Sequence, residues 1–127
     1  MNIKDTQNFL HSTKLVKHLI DICNVNSDDV VLEIGPGKGI ITTELSICAS
    51  KVIAVEFDKE LYIKLSKKYA NNDKVDVFYG DILKFTPSVS NYCVFSNIPF
   101  NITSKILNKF LSDKKNDKMY LIMQYEP

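Results

Sequence analysis

The sequence contains no arginine; all 16 of its basic residues are lysines. Any phosphate contact it makes is therefore a point charge or a backbone amide, without the bidentate fork of a guanidinium. Fifteen acidic residues leave a net charge of +1, so the chain lacks the basic footprint of a domain that binds nucleic acid by bulk charge. Cysteine is scarce. Cys23, Cys48 and Cys93 are odd in number, far apart and in no metal-ligand spacing, which predicts small buried apolar residues of a reduced protein. His11 and His18 have no ligand cluster beside them, so no metal is expected. No stretch approaches the roughly 20 apolar residues of a membrane span. The N-terminus also lacks the apolar core of a signal peptide, and the expected address is cytoplasmic, away from membranes.

What the sequence does hold is enough apolar residues, 45% of 127, for one domain with a real core. Short, nearly continuous apolar runs alternate with helical patterns, as in a parallel sheet with helices on its faces. Strands are predicted over 30–34, 52–56, 75–79, 93–97 and 119–123, and helices over 12–23, 40–49, 59–70 and 103–111. Leu61, Leu65 and Tyr69 share one helical face, as do Ile106, Leu107 and Phe110. Ser12 and Asp58 are candidate helix caps.

The first strand ends in Glu33-Ile34-Gly35-Pro36-Gly37-Lys38-Gly39, and a helix follows at once. Strand, glycine loop and helix together give such a loop its meaning: the backbone can approach a ligand, and the helix N-terminus offers free N–H groups to an anionic part of it. A dinucleotide loop would read G-x-G-x-x-G, whereas this one reads G-x-G-x-G. Glu56 closes the second strand, where a carboxylate can accept two hydrogen bonds from ribose hydroxyls. Phe57 beside it is placed to pack on an adenine ring. Read alone, Glu56 is also an ordinary solvated strand-end carboxylate. Asp81, after the third strand, can accept from an adenine amine, and Ile82 can offer its backbone N–H to a ring nitrogen. Asp81 alone is equally a turn residue.

Asn97-Ile98-Pro99-Phe100 follows the fourth strand, at the end of the sheet where ligands bind in open α/β folds. An exocyclic adenine amine is a poor nucleophile because its lone pair is delocalised into the ring. Two acceptors that hold its protons would aim that lone pair at an electrophilic methyl group. The Asn97 side-chain oxygen and the Ile98 carbonyl are candidates, with Pro99 stiffening the turn and Phe100 stacking on an extruded base. An Asn-x-Pro-aromatic run is also a reasonable strand-ending turn.

The glycine run resembles the first motif of the class I methyltransferases. With Gln7-Asn8-Phe9-Leu10, Glu56, Asp81 and the tetrapeptide in order, the whole chain resembles the rRNA adenine-N6 methyltransferases, of both the macrolide-resistance (Erm) and the housekeeping dimethyltransferase (KsgA) types. The resemblance implies a Rossmann-like, class I S-adenosylmethionine-dependent fold. It implies a cofactor site built from Asn8, Leu10, Gly35, Gly37, Glu56, Phe57, Asp81, Ile82 and Asn97, with catalysis at Asn97 to Phe100. Ile98 and the run Tyr120-Leu121-Ile122-Met123 lean toward the Erm type, hence toward 23S rather than 16S rRNA and toward resistance to macrolides, lincosamides and streptogramin B. The sequence ends soon after the fifth strand, so residues 1–127 are expected to be a cofactor-binding catalytic domain without the family's further strands and helical RNA-binding domain. On that expectation the fifth strand has an open edge that pairs with another chain; a clean monomer by light scattering at high concentration would count against it. A cofactor-binding module without activity is the competing reading, and a nicotinamide-dependent oxidoreductase is disfavoured by the loop spacing.

Overall fold

The computed structural model describes residues 13–99 and 103–124. Five strands, β1 (Val30–Ile34), β2 (Lys51–Glu56), β3 (Val75–Tyr79), β4 (Tyr92–Pro99) and β5 (Asn116–Gln124), form one sheet in the order β3-β2-β1-β4-β5. All neighbours are parallel. Among the described residues, four helices connect or precede them: α1 (Thr13–Ile22), α2 (Ile40–Cys48), α3 (Lys59–Lys68) and α4 (Thr103–Leu111). The two halves diverge between β1 and β4, the topological switch point at which open α/β sheets bind ligands.

The apolar runs are explained by burial on both faces. Val31, Val52, Val75, Cys93 and Phe95 pack under Val16 and Ile20 of α1, Ile41 and Leu45 of α2, and Leu65 of α3. Their strand neighbours Leu32, Ile34, Ile53, Val55 and Val94 face the other way, onto Ile106 and Phe110 of α4. Side chains alternate across a strand, so one five-residue run supplies both layers. Each fully buried aliphatic side chain contributes about 1.5–3 kcal/mol of transfer free energy.

Local chemistry sets the element ends. Asp58 caps α3 as expected, its Oδ1 accepting from Leu61 N at 3.1 Å. Ser12, the other expected cap, lies outside the described residues. The third helix stops at Lys68 instead of running to 70, with Tyr69 at the cap position. β4 and β5 run longer than apolarity alone indicates. Ile98 and Pro99 still pair with Met123 and Gln124, so three residues of the tetrapeptide belong to the strand rather than to a turn beyond it. Proline is tolerated at that terminal position, where a missing N–H costs the ladder least. The polar Asn116-Asp117-Lys118 start of β5 escapes a hydrophobicity reading: Asn116 pairs with Tyr92, and a register irregularity separates it from Met119 opposite Val94. The cysteines also divide: Cys93 is buried, but Cys23 and Cys48 are only partly so. Both of these sit near helix ends, where the core is thin.

Candidate cofactor and target-base site

β1 delivers the glycine loop to the switch point, and β4 delivers Asn97 beside it. The two approach so closely that a Cβ on Gly35, whose φ is +68°, would lie 3.2 Å from the Asn97 carbonyl oxygen. That packing, together with the left-handed backbone, requires glycine at 35. A cavity of about 410 Å³ opens there, within the range of small-molecule sites. It is lined by Gly35, Glu56, Phe57, Asp81, Ile82 and Asn97, with Ile34, Val55, Gly80, Leu83 and Ile106 completing the wall. Six residues picked from four separate places in the sequence thus meet around one space. Asn8, Leu10 and Phe100 lie outside the described residues.

Glu56 is almost wholly buried, yet both its oxygens are engaged by backbone donors. Gly37 N donates to Oε1 at 3.1 Å and Asp58 N to Oε2 at 2.9 Å. A carboxylate has about four lone-pair sites, so one on each oxygen remains for a ligand. Gly37 accordingly does not line the cavity; its N–H is spent on fixing Glu56. Asp81 takes up the turn role, its Oδ1 capping a short 3₁₀ turn (Ile82–Lys84) through Leu83 N at 2.9 Å, while Oδ2 makes no hydrogen bond among the described residues. Ile82 is the first residue of that turn, where a backbone N–H has no partner within the helix. Phe57 stands at the rim, 74% exposed, a large apolar ring presented to whatever enters.

Asn97 is the unusual member. Its Oδ1 is buried without a hydrogen-bond partner among the described residues. Such an acceptor costs about 1–3 kcal/mol relative to a satisfied one, and Asn97 is one of the residues that line the cavity.

The ribosomal RNA adenine dimethylase family model matches residues 1–127. The chain belongs to that family. It is 36% identical over 124 residues to an rRNA adenine N-6-methyltransferase of Escherichia coli, covering 97% of this chain and 51% of the relative. The chain thus spans about half the length of the curated relatives it matches. Among solved structures it superposes on the 23S rRNA methyltransferase ErmE with a TM-score of 0.82 at 26% identity, covering 89% of this chain and 46% of that one. On a dimethyladenosine transferase from Plasmodium falciparum the TM-score is 0.77 at 28% identity, with coverages of 88% and 42%. The parallel sheet is therefore that of the class I methyltransferases.

Around this cavity, four residues do work that their sequence context hides. Tyr69, placed by its spacing in the core, sends its hydroxyl to the glycine loop: Oη donates to the Gly39 carbonyl at 2.8 Å and lies 2.6 Å from Thr43 Oγ1. A Cβ at Gly39 would sit 2.6 Å from that oxygen, and φ there is +90°. Lys68 Nζ donates to the Lys38 carbonyl at 3.2 Å. With Glu56 on Gly37, three successive loop residues are each held by a side chain. Glu33 lies fully buried under the loop, hydrogen-bonded by the Thr42 hydroxyl. Burial pushes its carboxyl up to about 8, against the lowering effect of Thr42 and with a smaller raising effect of Glu56. An acid inside the apolar run Val30 to Ile34 was the available signal for it. Lys109 of α4 donates to the carbonyls of Ile82, at 2.6 Å, and Phe85, bracing the 3₁₀ turn. Nothing in its spacing announced that.

Among the described residues no cluster of His, Cys, Asp and Glu could hold a metal, and no helix is long and apolar enough to cross a membrane.

Proposed function

We propose that this chain carries the S-adenosylmethionine site and the base-positioning residues of an enzyme that methylates N6 of an adenine in rRNA. The observation that carries the reading is the buried Oδ1 of Asn97, without a hydrogen-bond partner among the described residues, in a residue of the cavity wall. An orphaned acceptor is a cost in the free protein that a donor on the target removes, and an exocyclic amine is such a donor.

The residues present fit the cofactor. Glu56 keeps lone pairs for ribose hydroxyls, Asp81 Oδ2 and the Ile82 N–H suit an adenine edge, and Phe57 offers a ring face to it. Gly35 and the start of α2 suit the amino-acid end, since Gly39 caps that helix without any side-chain bond and its first N–H groups stay available. Bound there, S-adenosylmethionine supplies an electrophilic methyl group on a sulfonium. The chain's own task is positioning. Asn97 Oδ1 and the Ile98 carbonyl accept the two amine protons, which turns the nitrogen lone pair toward the methyl group. Pro99 fixes the backbone carrying that carbonyl, and Phe100 stacks on the base once it has left its helix.

The finer reading is the Erm type: methylation, mono or di, of one adenine of 23S rRNA in the cytoplasm, giving macrolide-lincosamide-streptogramin B resistance. Ile98 in the tetrapeptide and the likeness to ErmE support it. Tritiated methyl transfer to 23S and 16S rRNA, with mass spectrometry for N6-methyladenine, tests both levels. Label on 23S rRNA upholds the finer reading, and label on 16S rRNA alone transfers the chain to the housekeeping type. Cofactor binding with no label on either RNA refutes the enzyme and leaves a binding module.

A further inference from the structure

The ten residues of α3 hold four lysines and one glutamate, whereas the whole chain nets only +1. Lys64 and Lys68 of this helix and Lys38 of the glycine loop line one concavity of about 260 Å³, over a floor formed by Leu61 and Leu65. No carboxylate lines it. The single ion pair among the described residues, Lys51 with Asp76, lies elsewhere, so Lys64 has no counter-charge there.

Part of this arrangement has a plain cause. Lys67 and Lys68 occupy the last turn of α3, where cations favour the helix dipole, and Lys68 also braces the Lys38 carbonyl. Neither explanation reaches Lys64, mid-helix, or Lys38, which lines the same concavity. Lysines gathered around one concavity repel each other through their charges, and an anion among them relieves that repulsion. Gly37 forms the remaining wall, and its N–H is bound by Glu56 of the cofactor cavity. The two spaces are therefore both walled by the same short loop.

We infer that Lys38, Lys64 and Lys68 form a docking site for a phosphate of the RNA backbone, which holds the strand while the target base occupies the neighbouring cavity. The inference rests on the rRNA reading above. In a chain without arginine, lysines meet the phosphate as point charges, so the contact positions the RNA and carries no sequence preference.

The test is filter binding of 23S and 16S rRNA transcripts by the full chain and its Lys64→Gln, Lys64→Glu and Lys64→Arg variants across a salt series. Losing one phosphate contact flattens the slope of log affinity against log salt by about 0.7–0.9, equivalent to about five- to eightfold weaker binding at 0.1 M salt. Lys64→Gln is expected to show that change equally on both RNAs, Lys64→Glu a larger one, and Lys64→Arg almost none, with S-adenosylmethionine affinity unaltered in all three. Unchanged slopes in the Gln and Glu variants, or a loss confined to one RNA, would overturn the docking site while leaving the rRNA reading intact. Failure of the unaltered chain to bind either RNA would overturn both for this chain.

Discussion

Gly39 and Tyr69, thirty positions apart, are expected to behave as one unit, and a double-mutant cycle measures it. Gly39→Ala asks an L-residue to hold φ +90° and puts a methyl group 2.6 Å from Tyr69 Oη. The backbone strain is about 1–2 kcal/mol. The hydroxyl must then move, giving up its bonds to the Gly39 carbonyl and Thr43, each worth about 0.5–1.5 kcal/mol net. The sum is about 2–5 kcal/mol in the parent chain. Tyr69→Phe alone gives up the same two bonds, about 1–3 kcal/mol, but clears the space. In that background Gly39→Ala should cost little more than its strain, since Leu65 is the nearest atom left, at 3.1 Å. The expected coupling is therefore about 1–3 kcal/mol, read from urea denaturation followed by circular dichroism. Additivity within about 0.5 kcal/mol would refute the contact. Calorimetric titration of folded Tyr69→Phe should in addition show S-adenosylmethionine binding weakened severalfold, because the loop has lost one of three tethers. Unchanged affinity would show that the tether stabilises the fold and does nothing for the site.

Asn97→Ala should lower methyl transfer by at least about a hundredfold, the usual effect of misplacing a reacting group. Cofactor affinity and urea midpoint should stay near parent values, because the deleted oxygen has no bond to lose among the described residues; parallel loss of both functions would refute its target-side role. Asp81→Ala should weaken cofactor binding first, and should cost about 1 kcal/mol of stability through the lost cap on Leu83 N, so a variant with full cofactor affinity removes Asp81 from the site. Burial pushes the Glu33 carboxyl in the folded chain up to about 8 from its ordinary value of 4.5. The folded state thus retains a proton that the unfolded chain releases, so its contribution to stability is full below about pH 4.5 and is lost as pH rises toward 8. Glu33→Gln should remove that slope and be the more stable form at pH 8, by up to a few kcal/mol; melting curves of equal pH dependence would refute it.

Much of this was legible in the residues. All five strands and four helices have the type and order that the apolar runs indicate, because a parallel sheet buried on both faces writes itself as short continuous apolar segments. The cavity wall was legible too, because glycine at 35 and carboxylates at 56 and 81 sit at strand ends, where chain order and spatial position coincide at the switch point. The tethers were not. Tyr69 has the spacing of a core residue and is one: its ring is buried with Leu65 and Val75, and only its hydroxyl reaches the loop. A periodicity argument sees the ring and is blind to the last atom. Lys109 likewise scans as the polar side of an amphipathic helix, although its ammonium spans to two carbonyls more than twenty positions away.

Glu56 shows how spacing can locate a residue of the cavity wall and still miss the backbone groups it holds. Spacing from the glycine run picked it as a ligand acceptor, which concerns only the lone pairs facing the cavity. The other two already bind Gly37 N and Asp58 N, so the same carboxylate closes the loop after β1 and shapes the turn into α3. A charge buried this deeply needs such donors whether or not a ligand is present. The loop it holds is the one that Lys68 and Tyr69 hold from behind, and Glu33 lies beneath it. On the proposed reading, cofactor affinity and loop order are therefore coupled through Glu56: Glu56→Ala removes two backbone tethers together with the proposed ribose acceptors, so its effect on binding cannot be assigned to lost ligand contacts alone.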